Sequence, residues 1–243
     1  MADFISITQH ISRLEVRWRF GPVSVPVAIW LIRTGDSFIL VDSGPPPRSD
    51  QVVAAVARAT GGQGIRIVLL THAHPDHAGG LAALRAAWNP AILCHQDEVP
   101  FITGESSYRQ LEAGGMAFRF GRWLIPKPST RIPVARDLVG GQSVEGMAAI
   151  SLPGHTPGQV GYLHPVDSAM ICGDAIGNQR NKIQPPQPFW THDPVQARAS
   201  MKRLGELDYD HLLPSHGPAI IGQAQEAVSR FLRSEFESAP DLQ

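Results

Sequence analysis

Residues 71–77 read Thr-His-Ala-His-Pro-Asp-His and contain four side chains that can bind a metal ion. Zinc in proteins is bound by imidazole nitrogens and carboxylate oxygens at about 2.0–2.2 Å. The stretch lies between the apolar run 65–70, which predicts a buried strand, and the Ala- and Leu-rich run 79–88, which predicts a helix. A loop between a strand and a helix can bring several such groups together. The candidate ligands in this stretch are His72, His74, Asp76 and His77.

The sequence on either side predicts strands and helices in alternation. In the first half, strands are predicted at 25–33, 37–41, 65–70 and 91–94, and helices at 51–60 and 79–88. In the second half, strands are predicted at 148–152, 160–163, 169–172 and 211–213, and helices at 195–207 and 222–237. This order is typical of α/β layered proteins. Because no linker interrupts it, we predict one domain over residues 1–243, with two sheets face to face and helices outside.

Three more polar side chains come directly after predicted strands. His155 follows the strand at 148–152, Asp174 the strand at 169–172, and His216 the strand at 211–213. Each is next to Gly or close to Gly and Pro, which marks a loop. Loops at the ends of strands commonly assemble sites, so we expect these residues to join the 71–77 cluster.

This ordered set resembles the metallo-β-lactamase superfamily. It begins at Asp42, which ends the strand at 37–41, and runs through residues 72–77 to His216. In true β-lactamases of this superfamily either a cysteine binds the second ion or a bridging aspartate is missing, whereas Asp174 fits the bridging position here. The pattern is therefore similar to the glyoxalase II and lactonase branch. The resemblance implies an α/β fold, namely an αβ/βα four-layer sandwich of two β-sheets flanked by helices, with the site at the edge between the sheets.

The resemblance also implies roles for individual residues. It implies two sets of three ligands: His72, His74 and His155 for one ion, and Asp76, His77 and His216 for the other. Asp174 resembles the carboxylate that bridges the two ions. Asp42 resembles a residue outside the ligand set that orients a ligand histidine.

The chemistry implied by the resemblance is metal-dependent hydrolysis. Two divalent ions, zinc or else iron or manganese, would share a hydroxide that attacks the carbonyl of an ester, thioester or lactone. Asp76 or Asp174 would pass the proton to the leaving group as the catalytic acid. Two alternatives stay open: a mononuclear iron oxygenase similar to persulfide dioxygenases, and a metal-binding regulatory protein with little turnover. Glyoxalase II carries a helical extension that binds glutathione, but only one helix is predicted after His216, so glutathione thioesters are not favoured.

Substrate selection is predicted to lie in three loops. Residues 96–130 have weak periodicity and several aromatic side chains, which is typical of a substrate-covering segment or a partly helical insertion. Plain packing of the aromatic side chains stays open as the alternative. Tyr108 and Trp123 in this segment are candidate substrate contacts, as is His192 in the Pro-rich loop 178–192. The third candidate loop is 17–26.

Composition narrows the range of partners. Lys and Arg number 21 and Asp and Glu 22, so a net charge of -1 gives no general attraction for nucleic acid. No apolar run approaches the roughly 20 residues of a membrane span, and the first residues lack the pattern of a signal peptide. We therefore predict a cytoplasmic enzyme that acts on a small molecule, with no membrane or nucleic-acid partner. The sequence leaves the oligomeric state open.

Overall fold

The computed structural model describes residues 2–20, 23–111, 115–125, 131–138 and 140–237. Its first sheet has seven strands, whose spatial order equals their order in the chain. The strands are β1 (Ile5–Ser6), β2 (Ile11–Phe20), β3 (Val23–Thr34), β4 (Ser37–Val41), β5 (Ile67–Leu69), β6 (Ala91–His95) and β7 (Arg136–Leu138). Strands β1 to β4 pair antiparallel, and strands β4 to β7 pair parallel.

The second half of the chain forms a six-stranded sheet and a small two-stranded ribbon. The strands are β8 (Ser143–Val144), β9 (Met147–Ser151), β10 (Val160–His164), β11 (Ala169–Gly173), β12 (Gly177–Gln179), β13 (Lys182–Gln184), β14 (His211–Pro214) and β15 (Ile220–Ile221). The sheet has the order β15-β14-β11-β10-β9-β8, and β12 pairs with β13. Only β11 and β14 run parallel, because α6 connects this side of the sheet.

Within the described residues, seven α-helices accompany the sheets. They are α1 (Ser49–Ala59), α2 (Pro75–Ala78), α3 (Leu81–Trp88), α4 (Val99–Thr103), α5 (Met116–Gly121), α6 (Pro194–Glu206) and α7 (Ala224–Glu237). Helix α6 begins where the sequence predicts a start, since the Asp193 carboxylate accepts hydrogen bonds from the N–H groups of Val195 and Gln196 at 2.9 and 3.0 Å. No helix among the described residues is both long and apolar enough to cross a membrane.

The two sheets pack face to face through an apolar layer. Strand β3 shows why, because it is apolar on both faces: Trp30 and Ile32 pack between the sheets, whereas Ile29 and Leu31 pack under the helices. Successive side chains of a strand point to opposite faces, so a strand with this composition belongs in the middle of a layered protein. Ile171 of β11 contributes to the same layer from the second sheet.

Helices cover the outer face of each sheet. Val56 of α1 and Leu84 of α3 pack on the first sheet, and Met201 of α6 and Val228 of α7 pack on the second. The order of layers is therefore helix, sheet, sheet, helix. The predicted αβ/βα four-layer sandwich is confirmed.

The loop predicted at 17–26 is wrong. Strands β2 and β3 form a long hairpin in which Arg17 pairs with Pro26, and residues 21–22 lie outside the described part of the chain. Strand β2 alternates Leu14 and Val16, which are buried, with the exposed Glu15 and Arg17. This period of two predicts a strand. The sequence interpretation missed it because charged side chains are frequent in the same stretch.

The segment predicted as irregular, 96–130, is partly helical. It contains α4, α5 and short 3-10 turns at Gln96–Glu98 and Tyr108–Gln110. Residues 112–114 and 126–130 of this prediction lie outside the described residues. Buried Phe101 and Phe118 join the core under the helices, so part of the segment is ordinary packing.

Candidate metal centre

The ends of strands from both sheets meet at one edge of the sandwich. Backbone hydrogen bonds join the sheets there: Val160 N–H donates to the Thr71 carbonyl at 2.9 Å, and Ala28 N–H donates to the Ser215 carbonyl at 2.8 Å. The Tyr162 hydroxyl adds a third link by donating to the Leu70 carbonyl at 2.7 Å. The loops that follow these strand ends are therefore held close together.

Three histidines form a first cluster at this edge. The Nδ1 atom of His74 lies 3.1 Å from His72 Nε2 and 3.0 Å from His155 Nε2. All three side chains are buried. Two of them come from the β5–α2 loop of the first sheet and one from the loop after β9 of the second. We call this set of three residues the trihistidine cluster.

A second cluster, which we call the mixed cluster, contains Asp76, His77 and His216. Asp76 Oδ2 lies 3.6 Å from His77 Nε2 and 3.4 Å from His216 Nε2. Asp76 and His77 are in α2, and His216 is in the loop after β14. The short helix turns both of its donors toward the edge, because Pro75 begins it directly after His74.

Asp174 lies between the two clusters and contacts both. Its Oδ2 atom is 3.4 Å from His155 Nε2 and 3.1 Å from His216 Nε2, and its Oδ1 atom is 3.5 Å from His77 Nε2. It follows β11, one residue after Gly173, whose φ of +57° turns the chain. Its two oxygens are therefore shared between sets of imidazoles that come from different sheets.

Hydrogen bonds at the other ring nitrogen orient several of the histidines. The Nδ1–H of His216 donates to the Pro26 carbonyl at 2.8 Å, so its Nε2 faces the cluster. His155 Nδ1 lies 3.3 Å from Thr191 Oγ1, and the Thr191 hydroxyl itself donates to the Gln187 carbonyl at 2.8 Å. That hydroxyl must accept from His155 Nδ1–H, which leaves His155 Nε2 free to bind a metal.

Asp42 orients the mixed cluster. Its Oδ2 atom accepts a hydrogen bond from His77 Nδ1 at 2.9 Å, and its Oδ1 atom accepts one from Thr71 N–H at 2.8 Å. Asp42 is fully buried and adopts a positive φ of 64°, an uncommon conformation for a residue other than glycine. Backbone strain of this kind tends to occur at functional sites. Asp42 therefore contacts a candidate ligand histidine, and the orienting role that the resemblance implies for it stays a prediction.

The electrostatics of the trihistidine cluster favour neutral imidazoles. Burial, followed by the nearby histidines, holds the pKa of His72 and of His74 well below the usual value. Burial also lowers the pKa of His155 to about 4, although the Asp174 carboxylate opposes this. Only a neutral imidazole can donate an electron pair to a metal, so at neutral pH these three side chains are in the form that binds one.

The mixed cluster contains charged side chains, unlike the neutral imidazoles of the trihistidine cluster. Burial disfavours the charged form of His77, but the Asp76, Asp174 and Asp42 carboxylates raise its pKa to about 9. Burial also opposes the ionised form of Asp76, yet His77 and His216 lower the pKa of that carboxyl to about 2. Asp174 and Asp76 likewise raise the pKa of His216 well above its usual value. In the metal-free protein, charged imidazoles and carboxylates therefore compensate each other.

The donors fit a metal centre. His77 Nε2 and Asp174 Oδ1 are buried and have no hydrogen-bond partner, although both point into the cluster. Two atoms that bind one ion at about 2.0–2.2 Å in tetrahedral geometry stand roughly 3.3–3.6 Å apart, which is close to the spacings described above. Three groups of donor atoms each lie within 4.8 Å of one another: His72, His74 and His155; His72, His77 and Asp174; and Asp76, His77 and His216.

The three predicted substrate contacts have different surroundings. The ring of Tyr108 lies against His74, with 4.6 Å between centroids, and its hydroxyl donates to Glu98 at 2.7 Å. Trp123 is 59% exposed, with Arg109 and Arg122 beside its ring. His192 lies next to the site, since its N–H donates to the His155 carbonyl at 3.0 Å. The substrate contacts stay predictions.

Sequence reasoning missed Thr71, Thr191 and Glu98, which all contact ligand residues or their loops. Glu98 had a usable signal, because it follows β6, which runs parallel to β5 and ends at the same edge. Thr191 had none, because the loop that carries it is brought to His155 by tertiary packing alone.

Comparison with known proteins gives one family match. The family model of the metallo-beta-lactamase superfamily matches residues 24–216. The chain is 28% identical over 218 residues to the probable metallo-hydrolase YybB of Bacillus subtilis, covering 88% of this chain and 91% of that protein. It is 28% identical over 190 residues to a hydroxyacylglutathione hydrolase of Dechloromonas aromatica, covering 76% of this chain and 55% of that enzyme.

A solved structure agrees with these matches. The crystal structure of TTHA1623 in a di-iron-bound form is similar with a TM-score of 0.63 and 30% sequence identity, covering 87% of this chain and 96% of that one.

Proposed function

The chain belongs to the metallo-β-lactamase superfamily, and from that premise we propose that it is a binuclear metal-dependent hydrolase. Its substrate is a small molecule with an ester, thioester or lactone carbonyl. The observation that carries the proposal is the position of Asp174, whose carboxylate contacts His155 on one side and His77 and His216 on the other. A carboxylate shared between two sets of imidazoles is suited to hold two cations at once, because it offsets their repulsion.

The chain's residues divide the work of holding the ions. The trihistidine cluster would hold one ion and the mixed cluster the other, with Asp174 common to both. When bound, such ions supply an activated water molecule and polarise the carbonyl oxygen of the substrate. No serine or cysteine nucleophile is needed, and the buried Cys172, whose pKa burial raises to about 12, is not a candidate for one.

We assign the proton transfer to the carboxylates of Asp76 and Asp174. The pKa of the Asp76 carboxyl is about 2, and that of Asp174 is held well below its usual value by His216 and His77 against the effect of burial. Both are ionised at neutral pH, so one of them would accept the proton that the attacking water loses, at Asp76 Oδ2 or at Asp174 Oδ1. The protonated carboxyl then donates to the leaving group.

The donor set accepts more than one metal. Imidazole and carboxylate ligands suit zinc, iron and manganese, so availability decides among them. The di-iron form of TTHA1623 supports iron as one option. We infer two divalent ions per chain, either zinc or iron.

The proposal is tested by metal content and turnover together. The protein is purified without added metal, its metals are counted, and esters, lactones and thioesters are screened with oxygen uptake measured in parallel. We expect close to two equivalents at saturation, hydrolysis of some of the panel, and no oxygen consumption. The variant Asp174→Asn should lose metal and activity. The control variant Asp167→Asn should keep both, because the Asp167 carboxylate is buried away from the site and pairs with His10. One equivalent at saturation, or oxygen uptake without hydrolysis, would overturn the proposal.

A further inference from the structure

Glu98 is a buried carboxylate that joins the two loops of the trihistidine cluster. It is 0% exposed and ends the 3-10 turn after β6. Its Oε2 atom accepts a hydrogen bond from Ala73 N–H at 2.8 Å, and its Oε1 atom accepts one from Gly158 N–H at 2.8 Å. These distances are in the range of charge-assisted hydrogen bonds, which are the stronger ones in proteins.

The two N–H groups belong to the backbone of the ligand loops. Ala73 lies between His72 and His74, and Gly158 lies in the loop that carries His155. The loops come from different sheets. Along the chain, Ala73 is 25 residues from Glu98 and Gly158 is 60, and His74 is 81 residues from His155. The Glu98 side chain therefore fixes the distance between the His155 imidazole and the imidazoles of His72 and His74.

The contact at Gly158 requires glycine. A Cβ atom at this position would lie 2.8 Å from His95 Nδ1 and 3.0 Å from Glu98 Cγ, so a larger residue would force the loop away from the carboxylate. The close approach thus depends on Gly158 of the 155–158 loop as well as on Glu98. This is the packing expected where a distance between loops has to be kept.

Glu98 also contacts Tyr108, a side chain that packs against a ligand histidine. The Tyr108 hydroxyl donates to Glu98 Oε2 at 2.7 Å, and the Tyr108 ring lies against His74 and stacks on Phe101 with 4.2 Å between centroids. The carboxylate thus accepts three hydrogen bonds, one from each ligand loop and one from Tyr108.

We propose that Glu98 is the positioning residue of the trihistidine cluster: it sets the geometry of the first metal site by holding the 72–74 loop and the 155–158 loop at a fixed separation. The proposal builds on the metal centre described under the proposed function, but it concerns metal binding rather than the reaction. Residues outside the ligand set that orient ligands typically change metal affinity by about 10–100-fold when replaced.

The variant that tests this is Glu98→Gln, which keeps the shape of the side chain. Its amide has one acceptor oxygen, so its NH2 group must face a donor at Ala73 or at Gly158, and one of the two hydrogen bonds is lost. The matched control is Thr60→Val. Thr60 is a buried side chain that accepts from Gly64 N–H at 2.9 Å, near the start of β5 and thus away from the edge that carries the site.

Three quantities are measured on the full chain: affinity for Zn²⁺ by chelator competition, the visible absorption spectrum with one equivalent of Co²⁺, and the melting temperature without metal. Cobalt absorption reports the geometry of its ligands. We expect Glu98→Gln to lower affinity for the first ion by about 10–100-fold and to change the cobalt spectrum. Thr60→Val should lower the melting temperature and leave both metal readouts unchanged.

The inference is overturned if Glu98→Gln melts earlier but keeps the wild-type affinity and cobalt spectrum, since that result describes a residue that is only structural. Should this variant not fold, Glu98→Asp carries the same test. It keeps both acceptor oxygens but is one methylene shorter, so it reaches only one loop. None of these readouts needs a substrate. If the protein hydrolyses nothing and the metal results are as expected, the proposed function fails and this inference stands.

Discussion

The trihistidine cluster and the mixed cluster share one carboxylate but differ in charge. The first has three imidazoles that burial keeps neutral, with His155 at a pKa of about 4. The second contains protonated imidazoles next to ionised carboxylates, and the pKa of His77 there is about 9. A metal-free trihistidine cluster is open to a cation, whereas the mixed cluster first has to release protons. The two halves of one site should therefore load differently.

Removing a ligand from each cluster should have the largest effect. We expect His155→Ala to lose the tightly bound ion and to lower kcat/KM by about 10²–10⁴, because a metal ion contributes several kcal/mol of charge stabilisation. His216→Ala should keep one equivalent and lose the second. The metal content of each variant, counted after dialysis against a weak chelator, distinguishes the two outcomes. Equal losses in the two variants would mean that the clusters do not act as separate sites.

The pH dependence of metal loading tests the difference in charge. His77 and His216 have raised pKa values, so each gives up a proton when an ion binds. Affinity for the second ion should then increase by about tenfold per pH unit for each proton displaced, between pH 6 and 8, while affinity for the first ion stays nearly constant. Chelator competition at three pH values, with proton release in weak buffer, measures this. Parallel curves for both ions would contradict it.

Asp42→Asn should act mainly on the mixed cluster. Asn at this position tolerates the positive φ, so the backbone is not disturbed. The loss of the charged acceptor for His77 Nδ1–H should weaken the second ion by about 10–100-fold. Affinity for the first ion should change less than threefold or so, since no trihistidine side chain hydrogen-bonds to Asp42 directly. Metal titration gives both numbers, and a larger effect on the first ion would place Asp42 elsewhere in the network.

The smallest effect is expected outside both clusters, at Trp123. This side chain is 59% exposed and is not a proposed ligand, so Trp123→Ala should leave two equivalents of metal. If the α5 segment contacts substrate, kcat/KM for a large ester relative to a small one should fall by about tenfold or less. Val166→Ala, exposed at the turn between β10 and β11, is the control. An unchanged preference would show that Trp123 does not contribute to selectivity.

The sequence interpretation succeeded where the signal is local. The strand before the 71–77 stretch, the helix after it and the helix predicted at 195–207 are confirmed, because apolar periodicity and capping act within a few residues. Strand β2 was missed although its period of two is present at Leu14 and Val16. Four charged residues within that strand made its composition similar to that of a surface loop.

What the sequence determined by itself is the inventory of donors: neighbouring residues such as His72 and His74 follow one strand, and their spacing alone keeps them together. Only the tertiary structure decided which distant groups complete them. His74 meets His155 across 81 residues, and His216 meets the Pro26 carbonyl across 190. These contacts depend on how two sheets pack through a shared apolar layer. Because hydrophobic burial is non-directional, the sequence contains no pattern that identifies which distant residues come into contact.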